Sequence, residues 1–222
     1  MSQSAIAVII PTYNRPQIVG ETIRRLQHYL RYDGAIDYFS SDDSTDDRMP
    51  ETRAQIENLP RLSYVRGPHR GLGANLNALL RRSADYDLLL QMDDDHQLNQ
   101  LLDLNEHARK LLEDESAGWI RLMGIGFHRY IADLNGHYWR VRWNSPELYI
   151  PSNRPHLKHR RYHEHYGMYP EGLTLGQTEE IFCHQCIDRG RRSDGPAVLV
   201  PLNSMSETAW EHVGDSWQAK GF

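Results

Sequence analysis

Long apolar runs are what this sequence lacks first. The run Ile6-Ala-Val-Ile-Ile10 is too short for a membrane span or a signal-peptide core, and no later segment approaches the required length. The chain is therefore expected to be soluble and cytoplasmic, with no membrane span. Cysteine is scarce: Cys183 and Cys186 stand at C-x-x-C spacing within a helical stretch. One such pair rules out a disulfide scaffold and supports zinc only weakly, so reduced, half-buried thiols are expected. There is no excess of positive charge. The net charge of -5 excludes a global basic field toward nucleic acid, though not a local patch. No internal repeat or low-complexity linker interrupts the 222 residues, a length that fits one domain.

What is present is a short apolar run that ends in three acids, Leu88-Leu-Leu-Gln-Met-Asp93-Asp94-Asp95-His96. Adjacent carboxylates repel, and a divalent cation with a preference for carboxylate oxygens relieves that repulsion. The plainer alternative is a strand followed by a solvated acidic turn.

The first hundred residues alternate between strand and helix patterns. Ile6–Ile10 reads as a buried strand, and Asn14 as a helix cap with Pro16 in the first turn. Ile36–Ser41, Leu62–Val65 and Asp87–Met92 read as strands, and Pro50–Asn58 and Gly71–Arg82 as helices. Leucines at 98, 101, 102, 104, 111 and 112 suggest a helix over Gln97–Glu113. This alternation predicts a parallel sheet with helices on both faces. In the second half, Trp119–Met123 reads as a strand. Asn135-Gly136 marks a hairpin between His128–Leu134 and His137–Trp143. Pro151–Pro170 reads as a long loop. Thr178 is the expected cap of a helix that runs to Asp188, with Gly190 as its stop. Ala197–Val200 is the last expected strand.

Four strand-end loops then fall on one edge of the sheet: Pro11-Thr-Tyr-Asn-Arg15, Asp42-Asp-Ser-Thr-Asp46, Arg70-Gly-Leu-Gly73 and Asp93-Asp-Asp95. An aromatic ring and an acid suit a nucleoside. Arginine and a metal suit a diphosphate.

The motifs Val8-Ile-Ile-Pro11-Thr-Tyr-Asn-Arg15, Asp42-Asp-Ser-Thr-Asp46 and Met92-Asp-Asp-Asp95 resemble, in order and spacing, the signatures of family 2 nucleotide-sugar glycosyltransferases. The resemblance covers about residues 5–125. It implies an α/β fold of GT-A type: a single domain over 1–222, with a mostly parallel, Rossmann-like sheet. Residues 1–125 would form the nucleotide-sugar half, and 126–222 a hairpin- and loop-rich acceptor half. It also implies an inverting transferase using a nucleotide-diphosphate sugar, with a UDP-sugar favoured, and Mn²⁺ or Mg²⁺ as cofactor. Pro11, Thr12, Tyr13, Arg15 and Asp42 would hold the nucleotide, with Asp93 and Asp94. Arg70 would take a phosphate contact, because Leu76-Asn77 stands where the family often has Arg-Asn. Asp95 would bind the metal. Thr178-Glu179-Glu180 resembles the family's T-E-D element and implies Glu180 as catalytic base, with Glu179 next. The family usually has Asp at that last position, and acids in a first helical turn are favoured by the macrodipole alone. No Q-x-x-R-W motif is present, which disfavours a processive synthase.

GT-A enzymes can draw a histidine ligand from near the C-terminus, and His212 is the candidate. A surface histidine beside a packed Trp210 is the plainer alternative. The basic run Arg154–His163 offers Lys158, Arg160 and Arg161 for acceptor recognition; an ordinary solvated loop is the other reading. The acceptor is left open between a glycan, a small molecule and a hydroxylated base in modified DNA. Two other classes remain: a nucleotidyltransferase, for which a Gly-rich loop after the first strand is missing, and a catalytically dead sugar-nucleotide-binding module.

Overall fold

The computed structural model describes residues 4–123, 130–193, 195–202 and 209–214. In chain order the elements are β1 (Ile6–Thr12), α1 (Pro16–Tyr29), β2 (Leu30–Arg31), β3 (Ile36–Asp42), α2 (Met49–Ile56), β4 (Leu62–Arg66), α3 (Gly71–Arg82), β5 (Leu88–Gln91), β6 (His96–Leu98), β7 (Leu102–Asp103), α4 (Asn105–Glu113) and β8 (Ala117–Arg121). The second half adds β9 (Ala132–Asn135), β10 (Tyr138–Val141), β11 (His156–His159), α5 (Arg161–Tyr166), α6 (Leu175–Arg192), β12 (Ala197–Pro201) and β13 (Trp210–His212).

Among the described residues, nine strands form one sheet in the order β4-β3-β1-β5-β11-β8-β12-β10-β9. The first four are mutually parallel, whereas β11 runs antiparallel to both β5 and β8. The sheet is mixed but mainly parallel, with helices on both faces. β1 shows why: every residue is buried, as a strand covered on both faces requires. Ile6, Val8 and Ile10 pack with Val19, Ile23 and Leu26 of α1, Ile56 of α2 and Leu111 of α4. Ala7 and Ile9 join Leu76 and Leu79 of α3, Tyr162 of α5 and Phe182 of α6 on the other face. Each large side chain buried this way contributes roughly 1.5–3 kcal/mol. The strand order reverses direction at β1 and β5, and open α/β sheets bind ligands in the crevice beyond such a point.

Several local expectations are corrected. Asn14 does not cap α1. The residue before the helix is Arg15, with Pro16 at the helix start, while the Asn14 side chain accepts from Thr45 N and Oγ1. The expected helix over Gln97–Glu113 forms only from Asn105. Before it, β6 and β7 pair with β13 and β2, and Leu101 points into solvent. The expected loop Pro151–Pro170 contains β11 and α5. α6 is capped by Thr174 in a capping box with Gln177; Thr178 is buried inside the helix, which runs through Gly190 to Arg192. β13 follows the strand expected to be last. The Asn135-Gly136 hairpin forms as read, with Gly136 at φ +61 and β9 paired to β10, although His128 lies outside the described residues. Both cysteines are free and buried.

Candidate active site

The strand register brings the first two acidic loops together. Thr12 at the end of β1 stands opposite Asp42 at the end of β3. Across the crevice, Thr12 Oγ1 donates to Asp94 Oδ2 at 2.5 Å and Thr22 Oγ1 donates to the Asp94 carbonyl at 2.6 Å. Arg15 Nη1 bridges Asp94 Oδ1 at 3.0 Å and Asp95 Oδ2 at 2.5 Å. The three acids therefore divide their work. Asp94 is almost fully buried and spends its oxygens on Thr12 and Arg15, so it braces β1 against the loop after β5. Burial raises its carboxyl to about 6 against the pull of Arg15. Asp95 is also buried, which alone would raise it; His96, Arg15 and His212 instead hold it well below the ordinary carboxylate range. Asp93 faces an open cleft. Burial there, with the charges of Asp95, Asp94 and Glu179, pushes its carboxyl well above that range.

The C-terminal strand completes this edge. β13 pairs antiparallel with β6, placing His212 opposite His96, and Val213 N donates to the Asp95 carbonyl. His212 Nε2 thereby lies 3.4 Å from Asp95 Oδ2. Gly214 permits the approach, since a Cβ there would fall 2.2 Å from Asp95 Oδ2. Trp210 of this segment is packed in the core, whereas His212 is exposed on the side of Asp95.

Beside this group lies a cleft of about 190 Å³, lined by Asp93, His96, Met123, Ser152, Asn153, Arg154, Glu179 and His212. Glu179 is the acid of α6 that reaches it, while Glu180 is exposed and outside the lining. Successive helical residues point about 100° apart, so one position decides which carboxylate faces in. Glu179 Oε1 accepts the Asn153 N–H at 2.9 Å, which fixes the carboxylate on the cleft wall. His96, Ser152 and Asn153 were not singled out as site residues from sequence, and Arg154 was read only as the start of the basic run. His96 directly follows the acids, which was the available signal.

Of the basic run, Arg154 lines the cleft, whereas Lys158, Arg160 and Arg161 are turned into the fold. Lys158 is wholly buried in β11, where Nζ donates to Gln91 Oε1 at 2.5 Å and lies 3.3 Å from Tyr169 Oη. Burial lowers its pKa well below the ordinary lysine range. Arg160 donates to the carbonyls of Tyr86, Leu80 and Ser83, and Arg161 to those of Asp114 and Ala117. All three hold elements together, so their acceptor role is corrected. Asp42 is fully buried and both its oxygens are engaged, by Ser44 N and by Tyr64 Oη, each at 2.9 Å. Arg70 is exposed and lies 3.4 Å from Glu171. Pro11 is buried within β1, and Tyr13 is exposed in the loop that follows.

The sheet order, the crevice at β1 and β5, and acids gathered at the carboxyl edge define a GT-A fold. Solved structures agree. S. aureus TarS 1-349 in complex with UDP-GlcNAc superposes with a TM-score of 0.62 at 17% identity, covering 96% of this chain and 61% of that one. The mannosyltransferase PcManGT from Pyrobaculum calidifontis, in complex with GDP-Man and Mn²⁺, gives 0.59 at 19%, covering 91% and 58%. GalNAc-T7 with UDP, GalNAc and Mn²⁺ gives 0.67 at 13%, covering 90% and 43%. The chain thus spans less than two thirds of these relatives. A comparison with the curated proteins found no match. The family model of glycosyl transferase family 2 matches residues 7–174, and the chain belongs to that family. Among the described residues, no helix is long and apolar enough to cross a membrane.

Proposed function

We propose that this chain is a metal-dependent, inverting glycosyltransferase that moves a sugar from a nucleotide-diphosphate donor, a UDP-sugar by preference, to an acceptor hydroxyl. The observation that carries the reading is that one cleft presents Asp93 and His212, next to Asp95, together with the carboxylate of Glu179. The neighbours solved with UDP-GlcNAc and with GDP-Man support a nucleotide-sugar donor. Residues 1–125 supply most of the donor side, joined there by Arg154 and His212, and the rest of 126–222 the acceptor side of a single domain. A cytoplasmic location suits the two free thiols.

The residues fit a divalent cation, Mn²⁺ or Mg²⁺. Asp95 Oδ1 is buried without a hydrogen-bond partner, and Gly214 keeps the space beside Asp95 open to His212. Asp95 and His212 would hold the ion. A bound cation supplies Lewis-acid stabilisation of the departing diphosphate. Arg15 and Arg154 add positive charge on this side. Asp93 and Tyr13 are assigned to the nucleoside, with Thr12, Asp94 and the buried Asp42 shaping its walls.

The reaction is a single displacement. The acceptor oxygen bonds to the anomeric carbon as the bond from that carbon to the phosphate oxygen breaks, and the diphosphate leaves with the electron pair. The acceptor proton passes to Glu179, a general base held by the Asn153 N–H. Glu179 takes this role in place of Glu180 because it faces the cleft. With Lys158, Arg160 and Arg161 engaged inside the fold, the acceptor is assigned as a glycan or small molecule. The test is nucleoside-diphosphate release from UDP-glucose, UDP-GlcNAc and GDP-mannose in millimolar Mn²⁺. Release from at least one donor, lost in Asp95→Ala, is expected. No release with any donor, with or without simple glycan acceptors, contradicts the reading.

A further inference from the structure

Three ligand atoms, one each from Asp95, His96 and His212, lie within 4.8 Å of one another. We infer that His96 is a third protein ligand at this position, completing a set of one carboxylate and two imidazoles that selects Mn²⁺ over Mg²⁺. The inference rests on the reading above, that the Asp95–His212 pair takes a divalent ion.

His96 is not explained by packing. It is 5% exposed, and its Nδ1 has no well-formed hydrogen bond, only a 3.4 Å approach to Asp95 Oδ1. A buried polar atom left unpaired costs about 1–3 kcal/mol. Asp95 Oδ1 is a second such atom, and the two lie 3.4 Å apart. Ligands about 2.1 Å from one ion sit roughly 3 Å from each other, so a shared cation satisfies both orphans with little movement. Arg15 already touches the other carboxylate oxygen, Oδ2, and leaves Oδ1 as the open position.

The fold also fixes the imidazoles in advance. Register between β6 and β13 sets His96 against His212, and their rings stack at 4.8 Å. The donor chemistry then sets the preference. Mg²⁺ favours oxygen ligands in near-ideal octahedral geometry and keeps its waters, whereas imidazole nitrogen suits transition ions.

The test is direct metal binding by the whole chain, read by electron paramagnetic resonance of Mn²⁺ with and without UDP and repeated under Mg²⁺ competition. Wild type, His96→Ala, His96→Asn and Asp95→Ala are compared, with thermal unfolding as a check on each. The expected result is a loss of about 10–100-fold in Mn²⁺ affinity in both His96 variants. A much smaller change for Mg²⁺ and the disappearance of one of two nitrogen couplings should accompany it. His96→Asn keeps a polar side chain in the cleft, so it stands as the reading if His96→Ala unfolds. Unchanged Mn²⁺ affinity and unchanged nitrogen coupling in a folded His96 variant overturn the inference while Asp95→Ala still abolishes binding. If Asp95→Ala binds Mn²⁺ like the wild type, the metal reading itself falls, and His96 with it.

Discussion

Lys158→Met converts an unusual burial into a measurable pH dependence. Lys158 sits in the middle of the sheet, opposite Leu89 of β5 and Trp119 of β8, with Nζ 4.9 Å from the Trp119 ring centre. Desolvation is the main reason its ammonium is disfavoured. The unfolded chain holds the lysine protonated up to about pH 10.4, but the folded chain releases that proton at much lower pH. Between those two values the unfolded state binds one more proton. Stability therefore rises with pH through this window and is lost as pH falls, by about 1.4 kcal/mol per pH unit for a single group. Methionine has similar length and no proton to lose. Its introduction removes the Nζ bonds but leaves Gln91 Nε2 donating to Tyr169 Oη at 2.9 Å, so few polar atoms are orphaned. Urea unfolding of both proteins from pH 7.0 to 9.5 cancels in the difference the titrating groups that do not interact with Lys158. The wild type should gain on the variant as pH rises wherever the folded lysine is neutral, at a slope of up to about 1.4 kcal/mol per pH unit. Parallel stability curves would refute the argument, because they would mean that Lys158 keeps its proton inside the sheet.

The remaining predictions concern the site. Glu179→Gln should lower the transfer rate by about 10²–10⁴-fold with donor affinity little changed, whereas Glu180→Gln should be nearly silent; steady-state transfer beside nucleotide titration separates them, and the reverse pattern returns the base to Glu180. Thr12→Val removes a hydrogen bond to the buried Asp94 carboxylate and should cost about 1.5–3 kcal/mol in urea unfolding, the usual range for bonds to charged groups. Gly214→Ala places a methyl against the buried, Arg15-bound Asp95 Oδ2 and should weaken Mn²⁺ binding while also lowering the unfolding free energy; a calorimetric titration of the folded variant that matches wild type counts against the Asp95–His212 position.

Residues whose environment is set locally were the legible ones. β1, β3, β4 and β5 showed as short apolar runs, and Gly136 marked its hairpin because a left-handed turn position favours Gly. Partners distant in sequence were not legible. The leucines at 98, 101, 102 and 104 carry a helical spacing, but Leu98 packs through pairing with Trp210, over a hundred residues away. Lys158, Arg160 and Arg161 read as a solvated basic run because charge is normally exposed. Only the tertiary fold shows that backbone carbonyls, Gln91 and Tyr169 are their partners. His212 was suggested by the family resemblance, but His96 was passed over because its neighbours are acids that explain the motif without it. That Glu179 and not Glu180 lines the cleft was not legible either, because α6 is capped by Thr174, four residues before the residue expected to cap it.

Calorimetric titration of UDP into the chain, with and without millimolar Mn²⁺, for wild type and Asp95→Ala, tests the central claim most directly. The account predicts tight binding only for the wild type and only with Mn²⁺, together with a rise in unfolding free energy of about 2.7 kcal/mol at a hundredfold excess over the dissociation constant. Equal UDP binding by Asp95→Ala, or binding indifferent to Mn²⁺, would contradict it.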